Sequence, residues 1–261
     1  MEPFDGNSLD RRRPGLTRAV APVVDQFTRH YFSLRVEGTE HLRAGPALYV
    51  GNHNGGIMGP DVFCTLSTLW KNLGPETPLY VLAHDFVMRQ FTPLGRLLQA
   101  IGAIRATRAN AERALAAGAG VLVYPGGDLD AYRHFARREE VVILPRTGFV
   151  RIAQRCGVPI VPIVAQGAHR SAIIIHEGKW IADVLRLQRW ARLERFPVAL
   201  ALPWGLALGP WTPYLPLPFP VQLRILPPID VPPDADAAAI AAHVESAMQH
   251  GLTELAARAE W

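Results

Sequence analysis

Histidine is the side chain whose ordinary titration brackets neutrality, so it is the natural group to take a proton from a hydroxyl at pH 7. One histidine stands in a setting that would expose it: the run Gly51-Asn-His-Asn-Gly-Gly-Ile-Met-Gly-Pro-Asp61 directly follows an apolar stretch. A carboxylate on the second ring nitrogen of His53 would fix its tautomer and raise its basicity, and Asp61 is the nearest downstream candidate. Asp61 equally suits the start of a following helix, so a capping role and a catalytic role both remain open. Asn52, Gly55 and Gly56 lie in the same turn, where glycine lets a backbone approach a ligand. A second run, Tyr124-Pro125-Gly126-Gly127, also follows an apolar stretch, and paired glycines there can aim amides at a phosphate or an oxyanion. No Lys-Ser or Lys-Thr follows, which excludes a nucleotide P-loop. Arg105 and Arg108, with Arg133, Arg137, Arg138 and Arg146 after the glycine pair, form a third set, since guanidinium forks hold phosphates.

The elements that would position these groups alternate. Apolar runs at 47–51, 78–82, 101–105, 120–124, 159–164 and 221–226 read as strands, separated by helical patterns at 61–70, 86–100, 110–117 and 147–156. This predicts an α/β fold, a mostly parallel central sheet flanked by helices, with its site in the loops at the carboxyl ends of the strands. An alanine-rich helix over 237–257 closes the chain as a structural element. Residues 1–33 read as an N-terminal amphipathic segment ahead of the main domain at 34–261. Its helix, 16–32, carries Val20, Val23, Val24, Phe27 and Tyr31 on one side, after the cluster Arg11, Arg12, Arg13. Such a helix can lie on an anionic membrane surface or pack on its own core. No apolar run of secretory type follows the arginines.

Composition narrows the class. The 261 residues carry a formal net charge of +4, with 49% hydrophobic and 19% charged residues, which excludes a disordered or fibrous chain and points mildly to an anionic partner. With Cys64 and Cys156 as the 2 cysteines, a disulfide framework is excluded and both are expected to pack as small apolar groups. Neither they nor His134, His169 and His176 have metal-ligand spacing, so no metal and no cofactor is expected. Aromatic residues do not interleave with the arginines, which argues against nucleic acid. Residues 196–221 contain no charged side chain and read FPVALALPWGLALGPWTPYLPLPFPV. Repeated prolines would break a spanning helix. The stretch is therefore expected to be a broken apolar surface bearing Trp204, Trp211 and Tyr214, either at a membrane interface or lining an acyl groove, the alternative being a loop packed on the core.

Taken in order, Asn52-His53 with its downstream Asp61, Gly102-Ala-Ile-Arg105, Tyr124-Pro-Gly-Gly127 and Val158-Pro-Ile-Val-Pro162 resemble the glycerolipid (lysophospholipid, PlsC-like) acyltransferase superfamily. The likeness covers residues 34–170, and Arg146-Thr-Gly-Phe149 resembles the family's basic step before a helix. The His53–Asp61 separation is longer than the family's block, and Gly126 stands where glutamate is usual, as in the diacylglycerol-acyltransferase-like branch. The resemblance implies direct transfer of an acyl group from coenzyme A or acyl carrier protein to a hydroxyl of a glycerolipid or related acceptor. In that scheme His53 and Asp61 are the catalytic pair, and amides near Gly55, Gly126 or Gly127 hold the oxyanion. Asn52, Gly56, Tyr124, Pro125 and Pro162 would line the substrate, while Arg105, Arg108 and Arg146 would steady phosphates. It also implies a peripheral location on the cytoplasmic side of a membrane. A lipid-binding protein without turnover is the alternative. An esterase would need a nucleophile, and neither Ser67 nor Ser171 has a Gly-x-Ser-x-Gly setting.

Overall fold

The computed structural model describes residues 4–89, 92–210 and 212–259. Ten strands run in chain order: β1 (Arg35–Glu37), β2 (Leu48–Gly51), β3 (Leu79–Ala83), β4 (Ala103–Arg105), β5 (Gly120–Val123), β6 (Ile160–Gln166), β7 (Ile173–His176), β8 (Val198–Ala201), β9 (Gly205–Leu208) and β10 (Gln222–Ile225). Seven form one sheet in the order β1-β10-β6-β2-β5-β3-β4. Within it β6, β2, β5, β3 and β4 are mutually parallel, and β10 enters antiparallel to β6. The expected mostly parallel α/β sheet is thus present. Parallel strands need covered faces, and β2 shows how the sequence supplies them. Leu48 and Val50 face one core, Ala47 and Tyr49 the other, and all four are buried. The first core is closed by α5 (Arg108–Ala116), α7 (Gly148–Cys156) and α10 (Ala237–Arg258), the second by α1 (Pro14–Tyr31) and α2 (Pro60–Leu73).

The N-terminal helix packs on α2, burying Thr17, Ala21 and Thr28 and leaving Val23 and Phe27 exposed. The apolar stripe read from the sequence therefore points partly to the core and partly outward. Arg12 is not a surface charge: its guanidinium donates to the carbonyls of Pro75, Glu76 and Thr77 at 2.8–3.2 Å. The helix expected over 86–100 is divided into α3 (Asp85–Arg89) and α4 (Thr92–Ala100), with residues 90 and 91 outside the described set.

Residues 196–221 differ from the sequence reading. Rather than a broken loop, they supply β8 and β9, which join β7 in a separate antiparallel sheet, β7-β8-β9. The connection back to the main sheet carries Tyr214, and Trp211 lies outside the described residues. Between β7 and β8 stand the short helices α8 (Lys179–Val184) and α9 (Leu187–Trp190); α6 (Gly127–Ala131) follows the Pro-Gly-Gly bend.

The closing helix does more than cover the sheet. Glu245 accepts hydrogen bonds from the backbone N–H groups of Ile143 and Leu144 at 2.7 and 2.8 Å, strapping the 139–145 segment to α10. Removing that acceptor strands two donors, each worth about 1–3 kcal/mol when buried. Glu245→Ala is expected to lower the unfolding free energy by about 1 kcal/mol, because the Ile143 N–H is part-buried and the Leu144 N–H is open to water. Urea midpoints measure it, and an unchanged midpoint would show that the strap is not structural.

Candidate active site

Val50 is in register with Val123, so β2 and β5 leave the sheet side by side and deliver the His53 turn next to the Pro-Gly-Gly bend. The longer separation of His53 and Asp61 is absorbed by a tight turn that carries the chain back. Gly55 and Gly59 take left-handed φ values of 80° and 43°. At Gly55 a Cβ would fall 2.6 Å from Pro60 and 2.7 Å from the Ala168 carbonyl, so only glycine fits. Gly59 is the N-cap of α2 and makes no side-chain cap, with Pro60 opening the helix and Asp61 in its first turn. The capping alternative for Asp61 is thereby replaced. Its carboxylate turns back, accepting from the Asn54 N–H at 3.1 Å and meeting His53 Nδ1 at 2.8 Å.

An ionised carboxylate only accepts, so Nδ1 carries the proton and the lone pair of Nε2 is left free to act as a base. Asp61 is fully buried, while the His53 side chain keeps 22% of its surface exposed. Burial alone pulls the His53 pKa down, but the charge and hydrogen bond of Asp61, helped by Asp130, outweigh it and leave the imidazole above its ordinary value. The Tyr124 ring lies tilted against the imidazole with centroids 4.8 Å apart. It walls one side of the base and is the one expected lining residue in ring contact with it.

Several other expected residues hold the scaffold instead. Asn52 is buried and pairs with the backbone of Ala165 in both directions, at 2.7 and 3.0 Å, closing the gap where β2 leaves β6. Pro162 is buried inside β6 opposite Val50. The Arg105 guanidinium forks onto Asp85 at 2.7 and 3.0 Å and, with Arg192, holds that carboxyl down at about 2. Arg146 donates to the carbonyls of Pro125 and Gly126 and lies 3.3 Å from Glu194. Neither cation is an unengaged phosphate fork. Arg108 is exposed at the start of α5. The amides expected to serve an oxyanion are also partly committed: Gly55 N–H donates to His169 and Gly127 N–H to the Tyr124 carbonyl. The Gly56 position is pressed by the Tyr214 hydroxyl.

Three residues hold the backbone of the site in a role that sequence reasoning does not give them, Arg133 reading there only as one of a set of phosphate-holding arginines. Asp130 and Arg133 form a fully buried ion pair of 2.6 Å. Asp130 accepts the His53 N–H, and Arg133 donates to the His53 carbonyl at 3.0 Å and to the Asn54 side chain. One ion pair thus grips both sides of the residue that carries the base. Burial pushes the Asp130 carboxyl up, against the pull of Arg133 and two backbone donors. His169 completes the frame. The Arg133 carbonyl can only accept from its Nε2, at 2.7 Å, so its Nδ1 must accept the Gly55 N–H at 3.2 Å. Burial first, and Arg133 second, pull its pKa to about 3, so it stays neutral. Asp130 lies in α6 and Arg133 three residues on, just past its end, and that opposite-charge spacing after the Pro-Gly-Gly bend is the signal that could have flagged the pair. Among the described residues no cluster of three His, Cys, Asp or Glu could hold a metal.

The fold and the site define an α/β protein with a mostly parallel sheet and a buried-carboxylate–histidine pair at the ends of adjacent strands. The chain belongs to the acyltransferase family, whose model, described as Acyltransferase, matches residues 33–166. It is 28% identical over 198 residues to an uncharacterized protein of Mycobacterium tuberculosis, covering 73% of this chain and 55% of that protein. It is 27% identical over 171 residues to diacylglycerol O-acyltransferase 2 of Homo sapiens, covering 60% of this chain and 42% of the human one. The chain therefore spans about half the length of these relatives. In fold it is similar to the crystal structure of the 1-acyl-sn-glycerophosphate acyltransferase PlsC from Thermotoga maritima. The TM-score is 0.59 at 18% identity, over 94% of this chain and 83% of that one.

Replacing Arg133 with methionine would leave Asp130 buried without its cation, a loss of about 3–5 kcal/mol in unfolding free energy by equilibrium denaturation. A loss below about 1 kcal/mol would show that the pair does not hold the turn.

Proposed function

We propose that this chain is an O-acyltransferase that moves a fatty acyl group from an acyl thioester to a hydroxyl of a glycerolipid or related lipid. The observation that carries this reading is the 2.8 Å contact between His53 Nδ1 and the buried Asp61 carboxylate, which leaves Nε2 as a half-open base. The acceptor hydroxyl gives its proton to Nε2 as its oxygen attacks the thioester carbonyl. The tetrahedral intermediate then expels the thiolate, which takes the proton back from Nε2, so ester and free thiol leave and the enzyme is unchanged. No acyl-enzyme is needed. Gly126 N–H, which has no hydrogen-bond partner among the described residues, is the amide of the bend best suited to the oxyanion.

The donor is coenzyme A or acyl carrier protein. For the acceptor, the engagement of Arg105 by Asp85 and of Arg146 by carbonyls and Glu194 favours an uncharged hydroxyl lipid over a lysophosphatidate. The human relative's name, a diacylglycerol O-acyltransferase, agrees with that choice.

Purified protein incubated with labelled acyl-CoA and a panel of diacylglycerol, monoacylglycerol and lysophosphatidate tests it. Transfer should be abolished by His53→Ala; transfer that survives that change overturns the mechanism. Because Asp61 raises the His53 pKa, the acid limb of kcat/KM should lie above the ordinary histidine value of about 6.5. Asp61→Asn should move that limb to lower pH while reducing the plateau about 10²–10⁴-fold. A limb that stays in place would mean that another group titrates.

A further inference from the structure

The small β7-β8-β9 sheet has its sides reversed. A half-covered sheet normally turns its larger apolar side chains to the core and smaller or polar ones to water. Here Ala199, Ala201 and Ala207 are buried, while Leu200, Leu202, Leu206 and Leu208 point outward with 44–51% of their surface exposed. Leu200 is directly opposite Leu206, and Leu208 is opposite the half-buried Val198, so the outward leucines form one continuous patch across the hairpin. Trp204 stands at the hairpin tip, 59% exposed, its indole N–H satisfied by the Pro213 carbonyl at 2.6 Å. A tryptophan with its polar edge already paired and its ring outward is suited to the boundary between water and hydrocarbon.

The charge around the patch is mainly positive. Residues 196–221 carry none. At the far end from Trp204, Gly209 packs on the Phe196 ring and Gly178 against the Phe196 backbone, which brings the α8–α9 segment next to Leu208. That segment exposes Lys179, Arg186 and Arg189 against one exposed carboxylate, Asp183, and none of the four has an ion pair among the described residues, which leaves the segment net positive. An apolar face edged by unneutralised cations complements an anionic lipid surface, whereas a second copy of the chain would bring the same cations together.

The face is also tied to the base. Leu215 N–H donates to the Leu202 carbonyl at 2.8 Å, and the adjacent Tyr214 hydroxyl donates to the Gly55 carbonyl at 2.5 Å. We infer that the leucine face docks on the surface of an anionic lipid bilayer and, through Tyr214, sets the His53 turn at that surface. The inference deepens the reading above, in which the acceptor is a lipid, but its test does not depend on turnover.

The full chain is sedimented with sucrose-loaded vesicles of phosphatidylcholine, and with vesicles containing roughly three parts in ten phosphatidylglycerol, in the absence of substrate. The protein should bind the anionic vesicles more tightly. Leu206→Ser with Leu208→Ser should weaken binding to both kinds about tenfold, since two partly buried leucines are lost from the bilayer. Arg186→Glu with Arg189→Glu should remove the preference for the anionic vesicles and leave the weaker binding. Unchanged binding by the serine pair overturns the proposal, as does equal binding of the native chain to both vesicle types. Self-association without lipid that the serine pair abolishes would make a second copy the occupant and likewise overturn it. Thermal melting checks that each variant is folded; should the serine pair be unfolded, Trp204→Ala is read in the same assay. Vesicle binding without acyl transfer by the native chain would defeat the proposed reaction and leave the docking face standing.

Discussion

The turn that carries His53 has no regular secondary structure of its own from Asn52 to Gly55, so something else must hold it still. That constraint is the fully buried pair of Asp130 and Arg133. A buried charge is tolerated only when its partner and its hydrogen bonds are all in place, and here each one is used. Asp130 takes the His53 N–H, the Val142 N–H and the guanidinium; Arg133 gives its remaining donors to carbonyls of His53, Arg137 and Arg138 and to Asn54. The pair is thus the junction of three chain segments: the turn after β2, the helix after the Pro-Gly-Gly bend, and the 137–142 coil that α10 holds through Gln249, bonded to the Val141 N–H and the Glu139 carbonyl. Because the imidazole rides on this junction, its Nδ1 can meet Asp61 without the ring having to search for it.

Preorganisation of this sort also explains why so many polar groups around the base are unavailable to a substrate. Asn52 closes the sheet, His169 holds the Gly55 amide, and Arg146 caps the carbonyls of Pro125 and Gly126. Each satisfies a buried donor or acceptor that would otherwise be costly, and each fixes a loop that could otherwise move. What is left open is small: one face of the imidazole, the Tyr124 ring beside it and the Gly126 amide. That sparing use of free charge is the basis of the proposal that the acceptor is an uncharged lipid.

The main sheet was legible because its strands are buried on both faces and separated by helices with clear apolar periods; β2, β5 and β6 all lie within a residue or two of their sequence ranges. His53 and Asp61 were legible from residue type and proximity to a strand end. The supporting roles of Asp130, Arg133 and His169 were not, since a charged residue in a polar stretch carries no mark of burial, and their partners are up to 114 residues away. The β8–β9 hairpin escaped for a different reason. Its alternation is alanine against leucine, with no polar residue to reveal the period, and its prolines argued against any regular element.

That hidden alternation bears on how the two sheets divide their work. In the main sheet the large apolar side chains go inward, and stability follows from their burial. In the β8–β9 hairpin of the small sheet the inward positions are alanine, which contributes little area, so the hairpin gains less from packing on the body than its composition would allow. Its attachment rests instead on specific bonds: Leu215 to Leu202, Leu217 to Ser171, Tyr214 to Gly55. An element built to be held by a few directional contacts, with its hydrocarbon facing outward, is stable in water only because those contacts are made. The same bonds tie the outward leucines, through Leu202, Leu215 and Tyr214, to the turn that carries His53. Sequence, packing and proposed chemistry therefore meet at Gly55: its amide is held by His169, its carbonyl by Tyr214, and the base stands two residues before it.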